Sequence, residues 1–307
     1  MSNPRCVIGI DLGGTNIKAL CLSTSGEVLA QKTAPTGDDK CGAFVENVRA
    51  LVSALIREHG EPSAIGLAAP GLAARDARSI AFMPARMNGL ENLNWSTTLK
   101  TAHPVAVLND AHAALLGEVW LGAALGARNA AMLTLGTGVG GAILCDGKLM
   151  TGHIGRAGHL GHLSLDPSGA PDITGTPGSL EDAIGECTLA ARTNGAFKST
   201  RDLVAAHLGG NAHASEIWLR SVRALAAGIA SLINILDPQI FVIGGGIAQA
   251  GSALFNPLAE HLDKMEWRPA GHRVAIVPAK LGDNAGAIGA AFHALQNIRP
   301  ENEGAAR

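Results

Sequence analysis

The sequence predicts an α/β protein in two lobes, and three observations carry that prediction. The chain has 307 residues, 47% of them apolar, which is ample for a large core in two parts. Short apolar runs alternate with helical stretches whose apolar residues recur every three or four positions. The opening hairpin also recurs: Ile10-Asp11-Leu12-Gly13 aligns with Leu133-Thr134-Leu135-Gly136, and at the same offset Ala19-Leu20 aligns with Ala142-Ile143. Each lobe is therefore expected to open with a glycine-turned β-hairpin.

The elements follow in order. Cys6 to Ile10 is an apolar strand, Asp11 to Asn16 is turn chemistry, and strands Ile17 to Leu22 and Glu27 to Lys32 flank the turn Ser23 to Gly26. Phe44, Val45, Val48, Leu51, Val52, Leu55 and Ile56 keep a helical stripe that Gly60 ends. A buried strand from Ile65 to Ala69 runs into Pro70-Gly71. The second cycle has a strand Val105 to Leu108 and, after Asn109-Asp110, a helix from about Ala111 to Leu125. Strands Ala130 to Leu135, Ala142 to Cys145 and Lys148 to Met150 repeat the opening pattern around the turns Gly136 to Gly141 and Asp146-Gly147. Leu163 to Gly185 is rich in Gly, Pro, Ser and Thr and reads as a loop excursion. Helices dominate Leu189 to Asp237, Ile240 to Ile243 and Val274 to Val277 read as strands, and Gly286 to Gln296 closes the fold as an Ala-rich helix before a frayed tail, Arg299 to Arg307.

Charge and composition exclude several classes of function. Lys and Arg number 24 against 26 Asp and Glu, a formal charge of −2. No electrostatic footprint for nucleic acid or an anionic membrane is present. The uncharged apolar stretch of most interest, Ala224 to Leu236, is short of the ~20 residues a membrane span needs. The apolar run at Cys6 stops at Asp11, unlike a signal peptide. The five cysteines are scattered without a CxxC, so a disulfide framework is not expected and a reducing cytoplasm is the default.

Glycine supplies 39 residues, well above the ~7% of ordinary chains, and three glycine turns each follow an apolar strand: Gly13-Gly14, Gly136 to Gly141 and Gly244-Gly245-Gly246. Such turns let backbone N–H groups approach phosphate oxygens, and Thr15 and Thr137 add hydroxyl donors. Together they point to a polyanionic ligand such as a nucleotide. No Gly-Lys-Ser/Thr follows any of them, so none is a P-loop, and none fits a dinucleotide fingerprint. Asp11 beside a phosphate site makes sense if it orients a hydrated magnesium ion; an Asx-turn cap is the plainer alternative. Asn109-Asp110, between a strand and a helix, reads both as an N-cap and as the place for a carboxylate that accepts a hydroxyl proton. His153, His159 and His162 cluster around Gly158-His159-Leu160-Gly161-His162, where zinc ligation, hydrogen bonding to a polyhydroxyl ligand and a structural role are all open.

The segments IGIDLGGTNIK (8–18), LNDAHAA (108–114), LGTGVGGAILCDGKL (135–149), GHLGHLSLD (158–166), VIGGGIAQ (242–249) and LGDNAGAIGAA (281–291) occur in the order seen in ROK-family sugar kinases, which the chain resembles over nearly its whole length. The resemblance implies a two-lobed actin-like (ribonuclease H-like) fold with mixed sheets and an interlobe cleft. The smaller lobe would hold residues 1–118 with a C-terminal helix at about 290–307, and the larger would hold 119–289. It implies a cytoplasmic, dimeric kinase acting on a small-molecule sugar with ATP and Mg2+. Family repressors carry an N-terminal helix-turn-helix, which a first strand at Cys6 does not lead us to expect here.

By resemblance, Asp110 is the catalytic base acting on a hexose 6-hydroxyl, as in glucokinases. Gly71, Asn88, Asn109, His159, His162 and Glu181 would contact sugar. Asp11, Gly13, Gly14, Thr15, Asn16, Lys18, Gly136, Thr137, Gly138, Gly245 and Gly246 would hold nucleotide, with Asp11 on magnesium. Two departures stand out. His159 replaces the family's sugar-binding glutamate, and Pro171 to Ser179 lacks the cysteines of the family's zinc loop, so no zinc site is expected. The alternatives are an N-acetylhexosamine kinase, for N-acetylglucosamine or N-acetylmannosamine, and a non-catalytic sugar-binding protein.

Overall fold

The computed structural model describes residues 6–37, 42–83, 87–101 and 104–298. The chain forms two compact units, one comprising Met1–Gly126, Thr151–Arg156 and Leu281–Arg307, the other Ala127–Met150 and Ala157–Lys280.

In the first unit, β1 (Cys6–Leu12), β2 (Asn16–Ser23) and β3 (Val28–Pro35) form an antiparallel meander, while β4 (Ala64–Ala69) and β7 (Val105–Asn109) join parallel, in the order β3-β2-β1-β4-β7. Helix α1 (Ala43–His59) buries Phe44, Val48, Leu51, Val52 and Leu55 of the predicted stripe, with Val45 and Ile56 partly buried beside them, and Gly60 caps it by donating to the Ile56 carbonyl. Its apolar face joins Ile8, Ile10, Leu67 and Val107 in one core. Between β4 and β7 lie a small ribbon, β5 (Leu72–Ala73) with β6 (Ile80–Phe82), and the short helix α2 (Trp95–Leu99), capped by Asn94.

Helices α3 (Asp110–Leu121) and α9 (Ala285–Gln296) complete the unit. They approach so closely that a Cβ on Gly289 would sit 1.7 Å from the Ala113 carbonyl oxygen. This contact accounts for the Gly/Ala composition of α9, because only minimal side chains let two backbones meet. The expected lobe borders at 118/119 and about 289/290 would cut through both helices. The structure keeps each whole in the first unit, because they pack against each other along their length. Residues 299–307, the expected tail, lie outside the described residues.

The second unit repeats the plan. β8 (Ala130–Leu135), β9 (Val139–Cys145) and β10 (Lys148–Leu149) form the meander, and β11 (Ile240–Gly244) and β12 (Ala275–Pro278) add parallel strands, in the order β10-β9-β8-β11-β12. The weak sequence repeat thus marks two sheets of identical topology. The helices are α4 (Leu180–Ile184), α5 (Leu189–Arg192), α6 (Thr200–Leu208), α7 (Ala212–Leu236) and α8 (Ser252–Met265). The loop expected through Gly185 therefore contains a helix, nucleated by Ser179, whose hydroxyl accepts the Asp182 N–H.

Helix α7 runs 25 residues, longer than the Ala224–Leu236 stretch, and by length and composition alone could cross a membrane. Half of that window is buried within the fold. Ile217, Trp218, Leu225, Ile229 and Ile233 join Leu133, Phe241 and Leu254 in the unit's core.

Candidate active site

The first unit gathers carboxylates at the strand ends. Asn109 ends β7 and caps α3. Its Oδ1 accepts from the N–H groups of Ala111 (2.9 Å) and His112 (3.3 Å), and its Nδ2 donates to the Gly71 carbonyl (3.0 Å). The capping reading holds, and the same bonds join two predicted sugar contacts. Asp110 follows as the first residue of α3, exposed, with Oδ1 accepting the Ala111 N–H at 2.8 Å. A helix N-terminus favours negative charge there.

Asp11, near the end of β1, lies close enough to Asp110 for the two to repel. Burial, then the Asp110 carboxylate, pushes its carboxyl up to about 7, against the pull of Lys18. Asp11 sits against the start of α9, where a Cβ on Gly286 would lie 2.6 Å from Oδ2. Lys18 donates through Nζ to the Asp283 carbonyl at 2.7 Å, so it steadies the turn leading into α9. Gly286 and Asp283 escaped the site prediction although they lie in the 281–291 segment.

The turn Gly13 to Asn16 is held from behind by Thr36, a residue that sequence reasoning missed. Thr36 is fully buried; its hydroxyl donates to the Gly13 carbonyl at 2.6 Å and its N–H to the Thr15 carbonyl at 2.8 Å. With Gly13 N–H donating to Asn16, the carbonyls face inward. The N–H groups of Gly14 and Thr15 keep no hydrogen-bond partner among the described residues. Asn88 is exposed in a turn of the first unit.

In the second unit, the turn Gly136 to Gly138 is also held by its carbonyls. Gly136 accepts from Glu186 N–H (3.0 Å) and Thr137 from Cys187 N–H (2.8 Å). The Thr137 and Gly138 N–H groups are left without partners among the described residues, a cradle of two backbone donors. Glu181 Oε2 accepts the Val139 N–H at 2.8 Å and lies against Gly138, where a Cβ would come within 2.4 Å. Gly245 has φ +87°, and a Cβ there would meet the Leu135 carbonyl oxygen at 2.3 Å. Only glycine brings the end of β11 this close to the cradle.

Beside the cradle opens a cavity of about 650 Å³, lined by Gly136, Thr137 and Gly246, and by Thr200, Arg201 and Leu208 of α6. Sequence reasoning did not place α6 at the site, since its polar first turn reads as ordinary capping. The predicted sugar contacts His159 and His162 lie at a 3-10 turn, Leu160–His162, which packs on β9: a Cβ on Gly161 would be 2.0 Å from the Val139 carbonyl oxygen. The third histidine of the cluster, His153, belongs to the 151–156 segment of the first unit.

Against known proteins, the profile of the ROK family matches residues 7–297. A glucokinase of Halalkalibacterium halodurans is 33% identical over 327 residues, covering 98% of this chain and 98% of that protein. The crystal structure of a ROK hexokinase from Thermus thermophilus superposes with a TM-score of 0.86 at 31% identity, over 95% of this chain and 99% of that one. A ROK-family glucokinase from Streptomyces griseus, in complex with glucose and AMPPNP, superposes with a TM-score of 0.77 at 27% identity, again over 95% and 99%.

Proposed function

The chain belongs to the ROK family, and from that footing we propose that it is a sugar kinase that moves the γ-phosphoryl group of ATP to the 6-hydroxyl of a hexose. The observation that carries the reading is Asp110: an exposed carboxylate on a rigid cap, beside a second acid. Asp110 takes the hydroxyl proton as the oxygen attacks phosphorus, which general-base catalysis makes worth roughly 10²–10⁴ in rate. Asn109 and Gly71 hold the strand end that presents it.

The Thr137 and Gly138 N–H groups receive phosphate oxygens, and the cavity beside them takes the nucleoside. A relative crystallised with glucose and an ATP analogue supports this pairing of ligands. Asp11 suits a divalent cation, since a half-buried carboxylate repelled by its neighbour gains most from one. Mg2+, bound with ATP, would supply charge neutralisation at the phosphates. His159 and Glu181 contact the sugar in this reading, and the enzyme works as a cytoplasmic homodimer.

A coupled ADP-release assay with glucose, N-acetylglucosamine, N-acetylmannosamine and fructose tests the proposal. Glucose is expected to turn over fastest. Sugar binding by calorimetry without ADP release from any of the four would replace it with a non-catalytic sugar sensor.

A further inference from the structure

Residues 171–179, where the resemblance places the family's zinc loop, contain no thiol. In its place stands one carboxylate. The Asp172 side chain is completely buried. Its Oδ1 accepts from Thr174 N–H (2.8 Å), Thr176 N–H (3.0 Å) and the Thr174 hydroxyl (2.8 Å), and its Oδ2 lies 2.8 Å from His162 Nδ1. The loop closes on itself through Asp172 N–H to Thr176 and is tied to the turn's flank by Ser164, whose hydroxyl donates to the Pro177 carbonyl.

We propose that Asp172 is a metal-free clamp that holds His162 in one orientation with the proton on Nδ1, so that Nε2 offers a lone pair to a donating hydroxyl of the sugar. The sugar half rests on the function proposed above; the clamp half does not. Burial pushes the Asp172 carboxyl up, yet the bonds from His162, Thr174 and Thr176 outweigh it and hold the group well below the usual carboxylate range. An ionised carboxylate only accepts, so the facing nitrogen carries the hydrogen. The His162 side chain is 29% exposed, and Nε2 has no partner among the described residues. A metal on Nδ1 would leave Nε2–H as a donor; Asp172 reverses that polarity. Glu181 reaches the same neighbourhood through Val139, against which Gly161 packs. Asp182 is the other acid that senses this pair. The clamp therefore makes Asp172 a positioning residue that sets which sugar substituents are accepted.

The test uses Asp172→Asn. Its Oδ1 is still claimed by two backbone N–H groups, so its NH2 must face His162 and force the proton to Nε2. Nitrogen-15 spectra of the imidazole at neutral pH should show Nδ1–H alone in the wild type and Nε2–H in the variant. Glucose analogues bearing fluorine in place of one hydroxyl, at position 2, 3 or 4, read the ligand half, because fluorine cannot donate. One analogue should bind wild type about tenfold or more worse than glucose and recover to within about threefold of glucose in the variant, with nucleotide affinity unchanged. The clamp is overturned by Nε2–H or a doubly protonated ring in the wild type, by the same tautomer in both proteins, or by stoichiometric zinc in purified protein. The sugar role is overturned if no analogue separates the two proteins. Absence of any hexose binding overturns it together with the proposed function, while the spectra still decide the clamp. If Asp172→Asn does not fold, the wild-type spectrum decides the clamp and wild-type discrimination against one analogue decides the sugar role.

Discussion

The two units carry the same hairpin turn and use it differently. Both turns hang from their carbonyls and leave two N–H groups unpartnered among the described residues. The first is fastened by a buried hydroxyl, Thr36, in the unit whose strand ends carry Asp11 and Asp110. The second is fastened by backbone N–H groups at Glu186 and Cys187 and by Glu181, and it opens on a cavity of about 650 Å³. In the function proposed above, the acidic side takes the cation and the hydroxyl proton, and the side with the cavity takes the phosphates and their nucleoside. Two sheets of one topology thus differ in what backs and flanks each turn.

The largest expected effect tests the acidic side. Because Asp11 is raised from 3.8 to about 7, the unfolded chain loses this proton first. Its contribution is complete only well below 3.8 and is lost as pH rises through about 7, by about 2–4 kcal/mol after allowance for solvent screening. Denaturant titrations of the ligand-free protein should show that decline, and Asp11→Asn should flatten it.

On the donor side, Gly245→Val places a branched side chain at positive φ against the Leu135 carbonyl. Affinity for a non-hydrolysable ATP analogue should drop about 100-fold, roughly 2.7 kcal/mol, with hexose affinity within twofold by calorimetry. Equal loss of both ligands would dissolve the division of labour. The smallest effect returns to the first turn. Thr36→Val keeps the backbone bond but removes the hydroxyl one, and should cost about 1–2 kcal/mol of stability by thermal unfolding.

Much of this contrast was legible in the sequence, because a glycine turn directly after an apolar strand is a local feature that neighbouring residues reveal. The repeat Ile10–Gly13 with Leu133–Gly136 marked the paired sheets, and Asn109-Asp110 marked the cap and its acid. What fastens the turns was not legible. Thr36 lies one residue past a strand end, where a threonine carries no signal until β3 folds beside the turn. Asp172 reads as loop chemistry until its four bonds are seen. Helix α9 was visible as Ala-rich, but Gly286 gains its meaning only from Asp11, distant in sequence. Local turn chemistry shows in single residues; long-range hydrogen bonding does not.

The most direct measurement is steady-state kinetics of Asp110→Asn with ATP and the best hexose, beside calorimetric hexose affinity. A proton acceptor at this position predicts a fall in kcat of about 10²–10⁴, with hexose affinity within a few-fold of wild type and an unchanged fold by circular dichroism. Full turnover in that variant would contradict the assignment of Asp110 as base.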